Sequence, residues 1–362
     1  MSRNKHLHYE MRISNHYDDD DDMEWESNKA VLFSCVSEMM VSKLRRLLDR
    51  GVKPNFKNSY QQTPLHVAIS LEPCDESFEI IRLLIAFGCP IDAQDRFGQA
   101  AIHIACQQLE PCYIPILLEG GCSVNIQDNA GCTPLMQACG SSSEQMLIFV
   151  QYLLDWGASV NIRDTSGKNA LYYLIAQSSL SDTVIRSEVI YKLLYAGIDV
   201  NYRYYRDETF AHCLLVESSR ILTLYENLQC HFRPLLCGGC QILENKSCYN
   251  NLIKKFESLH GTHVLDHTLE YLIDVFSPVC SVKTLRGLKH RLAEVDFLRD
   301  RPALRKLTMQ ASTVKSLKDI CRINIRRKLN NKLFVNVEYL DLPKELSEYI
   351  KYSECKPPLI GR

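Results

Sequence analysis

The chain has 362 residues, 46% of them apolar, and its 42 lysines and arginines against 43 aspartates and glutamates leave a formal net charge of -1. That length and apolar content suffice for a large buried core, and a charge near zero argues against nucleic acid as a general partner. No apolar run reaches the roughly 18 residues that a membrane-spanning helix needs, which argues against a membrane partner as well.

Residues 1–28 are polar and contain five consecutive aspartates at 18–22, a composition that predicts a disordered acidic tail. The same stretch is too polar for a secretory signal, so the chain is expected inside the cell, in the cytoplasm and also the nucleus.

From 29 to 245 one phrase recurs: Leu47-Leu48-Asp49-Arg50-Gly51, Leu84-Ile85-Ala86-Phe87-Gly88, Leu117-Leu118-Glu119-Gly120-Gly121, Leu153-Leu154-Asp155-Trp156-Gly157, Leu193-Leu194-Tyr195-Ala196-Gly197 and Leu235-Leu236-Cys237-Gly238-Gly239. The final glycines are 37, 33, 36, 40 and 42 residues apart. Each phrase predicts an apolar helix that ends in a left-handed residue, where glycine has no steric penalty. Twelve residues after each of the first five glycines come Thr63-Pro64-Leu65-His66, Ala100-Ala101-Ile102-His103, Thr133-Pro134-Leu135-Met136, Asn169-Ala170-Leu171-Tyr172 and Thr209-Phe210-Ala211-His212. Threonine caps a new helix through its hydroxyl, and proline suits the first helical position because its missing amide would be unpaired there. Between the two phrases stand polar segments such as Asn55-Phe56-Lys57-Asn58 and Asp92-Ala93-Gln94-Asp95.

These phrases resemble ankyrin repeats, whose helix start reads Thr-Pro-Leu-His. The resemblance implies an all-α ankyrin-repeat solenoid of helix-turn-helix-hairpin units over 29–245. About six repeats are expected, the outer ones degenerate because a terminal repeat faces water. Ala30-Val31-Leu32-Phe33 stands where the first unit would carry its Thr-Pro-Leu-His. Extra residues at 72–75, 141–143 and 202–207 are read as loop insertions, which cost little entropy.

The sixteen cysteines raise the question of metal or disulfide chemistry. The repeat register answers it by placing Cys89, Cys122 and Cys240 directly after the turn glycine and Cys106 and Cys139 on inner helices, as small buried residues. Cys230, Cys237, Cys240 and Cys248 form the nearest thing to a zinc or redox cluster, but Cys237-Gly238-Gly239-Cys240 is also part of the sixth repeat phrase. His66 and His103 are read as hydrogen-bonding residues of the repeats. No metal, no cofactor and no catalytic residue is expected: phosphate-cradling glycine loops, His-Glu-x-x-His and nucleophile elbows are all missing from the sequence.

Residues 246–312 contain apolar residues at helical spacing in 265–276 and 282–292, separated by Ser277-Pro278. They read either as a helical cap joining the repeats to the C-terminal region or as a seventh, degenerate repeat. In 313–355, Leu317, Cys321 and Ile325 fall at i, i+4 and i+8, a narrow apolar stripe on a helix, and Leu340-Asp341-Leu342-Pro343 follows. Basic residues flank the stripe across 301–332; they read as its solvated side, with phosphate or membrane contact as the other reading. Residues 356–362 form a tail.

Ser316-Leu317, Cys321 and Ile325 resemble the elongin-binding box of the SOCS-box family, and Leu340, Leu342 and Pro343 resemble its cullin box, with Asp341 in place of the usual first proline. Both resemblances together identify the chain as an ankyrin repeat and SOCS box protein. Membership implies a non-catalytic substrate-recognition adaptor of a ubiquitin ligase. Leu317, Cys321 and Ile325 would bind elongin C, which brings elongin B; Leu340, Leu342 and Pro343 would bind cullin five with its RING partner; the repeats would hold a target protein of unknown identity. Tyr60, Phe97, Tyr204, Tyr205 and Arg206 lie at or near hairpin tips, where aromatics and arginine serve either as target anchors or as packing between hairpins. A non-degradative ankyrin scaffold is the alternative function.

Overall fold

The computed structural model describes residues 19–107, 111–141, 145–176, 183–202 and 282–294, with positions 235, 273, 302, 305–307 and 309. The described residues form helices and turns without strands. The elements are α1 (Asp19–Ser37), α2 (Val41–Asp49), α3 (Pro64–Ile69), α4 (Asp75–Ala86), α5 (Ala101–Ala105), α6 (Tyr113–Glu119), α7 (Pro134–Cys139), α8 (Met146–Asp155), α9 (Ala170–Ala176), α10 (Thr183–Tyr195) and α11 (Val282–Ala293). This order of short and longer helices is the expected ankyrin-type solenoid.

Two compact units divide the chain, with the division passing through α6. In the first, α1, α3 and α5 pack on one another in sequence, α2 packs on α1 and on α4, and α4 packs on α3. The second repeats the scheme: α7 packs on α9, α8 on α10, and each inner helix on its own outer partner. The apolar periodicity accounts for the packing. Leu44 and Leu48 of α2, Ile80, Ile81 and Leu84 of α4, and Phe149, Val150 and Leu153 of α8 are all buried at spacings that put them on one helical face. In α11, Leu285, Leu288 and Leu292 are buried at i, i+3 and i+7, as the spacing predicted.

Helix α1 departs from the sequence reading. It begins at Asp19, inside the stretch expected to be a disordered tail over 1–28, so the acidic run opens a helix. A helix N-terminus is where consecutive aspartates are best tolerated, since the macrodipole favours negative charge there.

Among the described residues the recurring glycine phrase ends the five outer helices as expected; Gly239 of the sixth phrase lies outside them. Gly51, Gly88, Gly121, Gly157 and Gly197 all have φ between 81° and 92°. At Gly157, its N–H donates to the Leu154 carbonyl (3.0 Å) and the Ala158 N–H to the Leu153 carbonyl (2.9 Å), the paired bonds of a Schellman cap. The other four glycines make the same pair, which satisfies carbonyls that the helix would otherwise leave open.

Inner helices begin with Pro64 and Pro134 at the first position and Thr63 and Thr133 as N-caps. Thr133 Oγ1 accepts the Met136 N–H at 3.3 Å. In the Thr-Pro-Leu-His unit the histidine completes the cap: His66 Nδ1 accepts the Thr63 N–H at 3.1 Å, and His103 Nδ1 accepts the Ala100 N–H at 3.1 Å. His66 Nε2 lies 2.9 Å from the Gln99 carbonyl, a contact that requires Nε2 to carry the proton and so fixes Nδ1 as acceptor. The bond runs from one repeat to the next.

Hairpin tips share one construction. Asn58, Asp95, Asp128 and Asp164 each accept, through Oδ1, the N–H groups two and four residues onward, at 2.8 to 3.0 Å. The fourth tip residue is left-handed: Gly98, Gly131 and Gly167 have φ of 76°, 77° and 78°. At Gly131 the next hairpin also approaches, and an added Cβ would lie 2.8 Å from the Thr165 nitrogen. The first tip puts Gln61 in this place, with φ of 60°.

Two outcomes follow. A left-handed conformation at a residue with a Cβ costs about 1 to 2 kcal/mol, so Gln61→Gly should raise unfolding free energy by about 0.5 to 1 kcal/mol in urea titration, after the glycine's larger unfolded entropy is deducted. Burial holds His66 below the ordinary histidine range, against the opposing pull of the Gln99 carbonyl and Asp95. The unfolded histidine, titrating near about 6.5, therefore binds a proton at higher pH than the folded one. Its contribution is complete above that pH and falls as pH drops towards the folded value, because the unfolded state then binds more protons. Denaturation midpoints measured from about pH 7 to pH 5 should fall for the wild type and fall less for His66→Gln. Equal slopes would assign the pH dependence elsewhere.

Candidate functional site

The Asx bonds that close each tip turn its two central residues outward. In the first two tips these include Tyr60 and the Arg96-Phe97 pair, whereas the third and fourth present Asn129-Ala130 and Thr165-Ser166. Tyr60 is 50% exposed and Phe97 55%. The Arg96 guanidinium carbon stands 4.5 Å from the centroid of each ring, a double cation–π contact joining two consecutive tips. The Arg96 N–H also donates to the Tyr60 carbonyl at 3.1 Å. Of the two sequence readings of these aromatics, packing is met at Tyr60, which lies under Arg96 of the next hairpin, while Phe97 packs on the same arginine within its own tip; both rings still present about half of their surface to water.

Arg96 escaped the sequence reading. Its signal was its register, one residue after the tip aspartate and beside an aromatic. The exposed aromatics at the ends of outer helices were also missed: Phe87 in the first unit, and Trp156 (50% exposed) and Tyr195 in the second. Tyr204, Tyr205 and Arg206 lie outside the described residues, as do Leu317, Cys321, Ile325, Leu340, Leu342 and Pro343.

In the second unit the hairpins are tied by polar side chains. Asn125 Oδ1 accepts the Ser159 N–H (2.7 Å) and Asn161 Oδ1 accepts the Asp199 N–H (2.8 Å), while the Asn161 amide donates to the Gly197 carbonyl (3.0 Å). Gln127 donates to the Arg163 carbonyl at 2.9 Å. The Tyr173 hydroxyl donates to Asp164 Oδ2 at 2.7 Å and meets Cys132 Sγ at 2.9 Å. Burial, then the bonds to Cys132 and Asp164, push this phenol well above the ordinary tyrosine range, so it stays protonated as a brace between hairpin and helix. Arg163 lies over the Tyr202 ring (3.6 Å) and Lys168 over Tyr172 (4.2 Å).

The described cysteines that the repeat register placed in the array behave as core residues. Cys89, Cys106 and Cys139 are buried, while Cys122 is half-covered. Burial raises Cys89 to about 11 and Cys122 to about 12, and pushes Cys139 higher still. A thiol that resists ionisation is a poor nucleophile and a poor metal ligand. Among the described residues no group of three or more His, Cys, Asp or Glu side chains is placed to hold a metal ion. The cluster Cys230, Cys237, Cys240 and Cys248 lies outside them. No helix among the described residues is long and apolar enough to cross a membrane.

Comparison with known proteins agrees with this construction. The family model for ankyrin repeats (3 copies) matches residues 32–128 and 111–204, and the SOCS box model matches residues 313–351. Over 101 residues, 28% of this chain and 5% of the relative, the sequence is 35% identical to SH3 and multiple ankyrin repeat domains protein 2 of Homo sapiens. It is 31% identical over 97 residues to the B-cell lymphoma 3 protein homolog of Mus musculus, covering 26% of this chain and 21% of that one. It is 26% identical over 117 residues to transient receptor potential cation channel subfamily A member 1 of Homo sapiens, covering 32% and 10%. The chain thus spans about a fifth or less of the length of these relatives. Ankyrin repeats and SOCS boxes are adaptor and interaction modules. With repeats through residue 204 and a SOCS box from 313 to 351, the chain belongs to the ankyrin repeat and SOCS box family.

Proposed function

We propose that the protein is the substrate receptor of a ubiquitin ligase, with the ankyrin repeats holding a target protein and the SOCS box recruiting elongins B and C and then cullin five with its RING partner. The observation that carries this reading is the order of modules in one chain: a repeat array with half-exposed aromatics at its tips, followed by a match to the SOCS box. The domain limits proposed are repeats over 29–245, a cap or further repeat over 246–312 and the box over 313–355. Mechanistically the chain contributes proximity. Holding target and ligase together raises the effective concentration of target lysines at the ubiquitin-charged enzyme, and no bond is made or broken by the receptor itself.

Within the box, Leu317, Cys321 and Ile325 form the elongin-binding stripe, and Leu340, Leu342 and Pro343 meet the cullin. Tyr60 and Phe97 are target contacts, and Tyr204, Tyr205 and Arg206 are proposed to extend them.

Co-purification with elongins B and C tests the reading. Leu317→Ala removes an apolar anchor and should weaken elongin affinity by about 2 to 4 kcal/mol, while Arg322→Ala, on the flank, should cost far less. Absence of elongin from the wild-type preparation would leave the ankyrin scaffold alone. Asp341→Pro should stiffen the extended segment and tighten cullin association without altering elongin affinity, measured by titrating the elongin complex with cullin. No gain would mean that Asp341 makes its own contact or that the cullin meets another segment.

A further inference from the structure

The first unit carries an exposed basic edge. Within residues 43–57, Lys43, Arg45, Arg46, Arg50, Lys53 and Lys57 face a single acid, Asp49, and all seven are exposed. Arg45 is engaged by Glu79 at 2.8 Å. Arg50 closes helix α2, and Lys53 and Lys57 lie on the hairpin that leads from it to Tyr60. Lys57 Nζ donates to the Gln94 carbonyl at 2.9 Å, which brings this hairpin against the arm of the next one, two residues before Arg96. Arg50 at the end of α2, and Lys53, Lys57 and Arg96 with the rings of Tyr60 and Phe97 on two adjoining hairpins, thus belong to one compact unit.

Resting on the receptor reading above, we propose that this edge recognises an acidic segment of the target protein, its carboxylates meeting the four cations and a neighbouring apolar side chain covering Tyr60 and Phe97. Three observations carry it. Within residues 43–57 six cations stand against one acid on a chain whose formal net charge is -1, so the basic excess is local. Arg96 is held against two rings, which removes much of the rotamer entropy that a flexible arginine loses on binding, and a guanidinium is shaped for bidentate contact with a carboxylate. The rings remain half exposed, the combination of aromatic and arginine from which interface anchors are drawn. Nucleic acid fits less well. Asp49 and Asp92 are exposed in the same helix and hairpins, where they would oppose a continuous phosphate backbone but fall between the spaced carboxylates of a peptide.

The test uses the full chain purified with elongins B and C, and fluorescence anisotropy of a labelled glutamate-rich peptide containing leucine beside its glutamine-for-glutamate counterpart. The glutamate peptide should bind, weaken with added salt, and lose roughly tenfold in affinity for each reversed charge in Lys53→Glu and Lys57→Glu. Arg96→Ala should also weaken it. Arg286→Glu in α11 should not, and Lys57→Arg should retain binding. Thermal melts and elongin content confirm that each variant is folded. Equal binding of the glutamine peptide, indifference to the charge reversals, or displacement by single-stranded RNA with equal or higher affinity would each overturn the proposal. So would binding that appears only after aspartates 18–22 are replaced by asparagine, since the chain's own acidic run would then be the occupant. Elongin retained without peptide binding defeats this inference alone; peptide bound without elongin defeats the receptor reading alone.

Discussion

Each repeat buries its apolar face only against its neighbours, so the structure depends on bonds that run from one repeat to the next. These are largely side chain to backbone. His66 reaches the Gln99 carbonyl, Asn125 takes the Ser159 amide, and Asn161 holds both Asp199 and Gly197, in each case 33 to 38 residues along the chain. A side chain that spans the gap to the next unit and finds a backbone group there fixes both spacing and rotation. Apolar burial supplies the drive, but it is non-directional and would tolerate sliding. The polar bonds select one arrangement and satisfy groups that the interfaces would otherwise bury unpaired.

Much of this was legible in the sequence because the same physical problem is solved repeatedly. A left-handed helix end demands glycine, and five glycines at similar intervals announced five reversals that the structure shows. The Thr-Pro helix start was equally readable, since both residues act locally. Less legible was anything that depended on a contact across repeats. Arg96 looks like an ordinary surface cation until the second ring is placed beside it, and the tyrosine brace of Tyr173, Asp164 and Cys132 joins residues that no local pattern connects. The left-handed Gln61 was hidden for another reason: its neighbours in register are glycines, and the tip keeps its shape because Asn58 closes it with the same bonds as the aspartates. Helix α1 began earlier than its composition suggested, because composition weighs the run of aspartates without the helix that follows it.

The hairpins divide the labour within the two units. In the second, polar braces occupy the tips and leave small residues facing outward, as at Asn129-Ala130 and Thr165-Ser166. In the first, aromatic and basic side chains project instead. The same register positions therefore carry different side chains in different repeats, because the Asx bonds beneath them hold the turn whatever the tip residues are.

The sulfur content has a consequence for survival in an oxidising episode. Peroxide attacks the thiolate, and a thiol raised to about 11, as at Cys89, is ionised to only about one part in ten thousand at neutral pH. The repeats can therefore carry a cysteine-rich interior without carrying a corresponding vulnerability. Cys74 and Cys112 lie outside the inner helices and are less deeply covered than Cys89, Cys106 and Cys139, so peroxide reaches them more readily. Oxidation there would mark the loops between paired helices and leave the interior of the array chemically untouched.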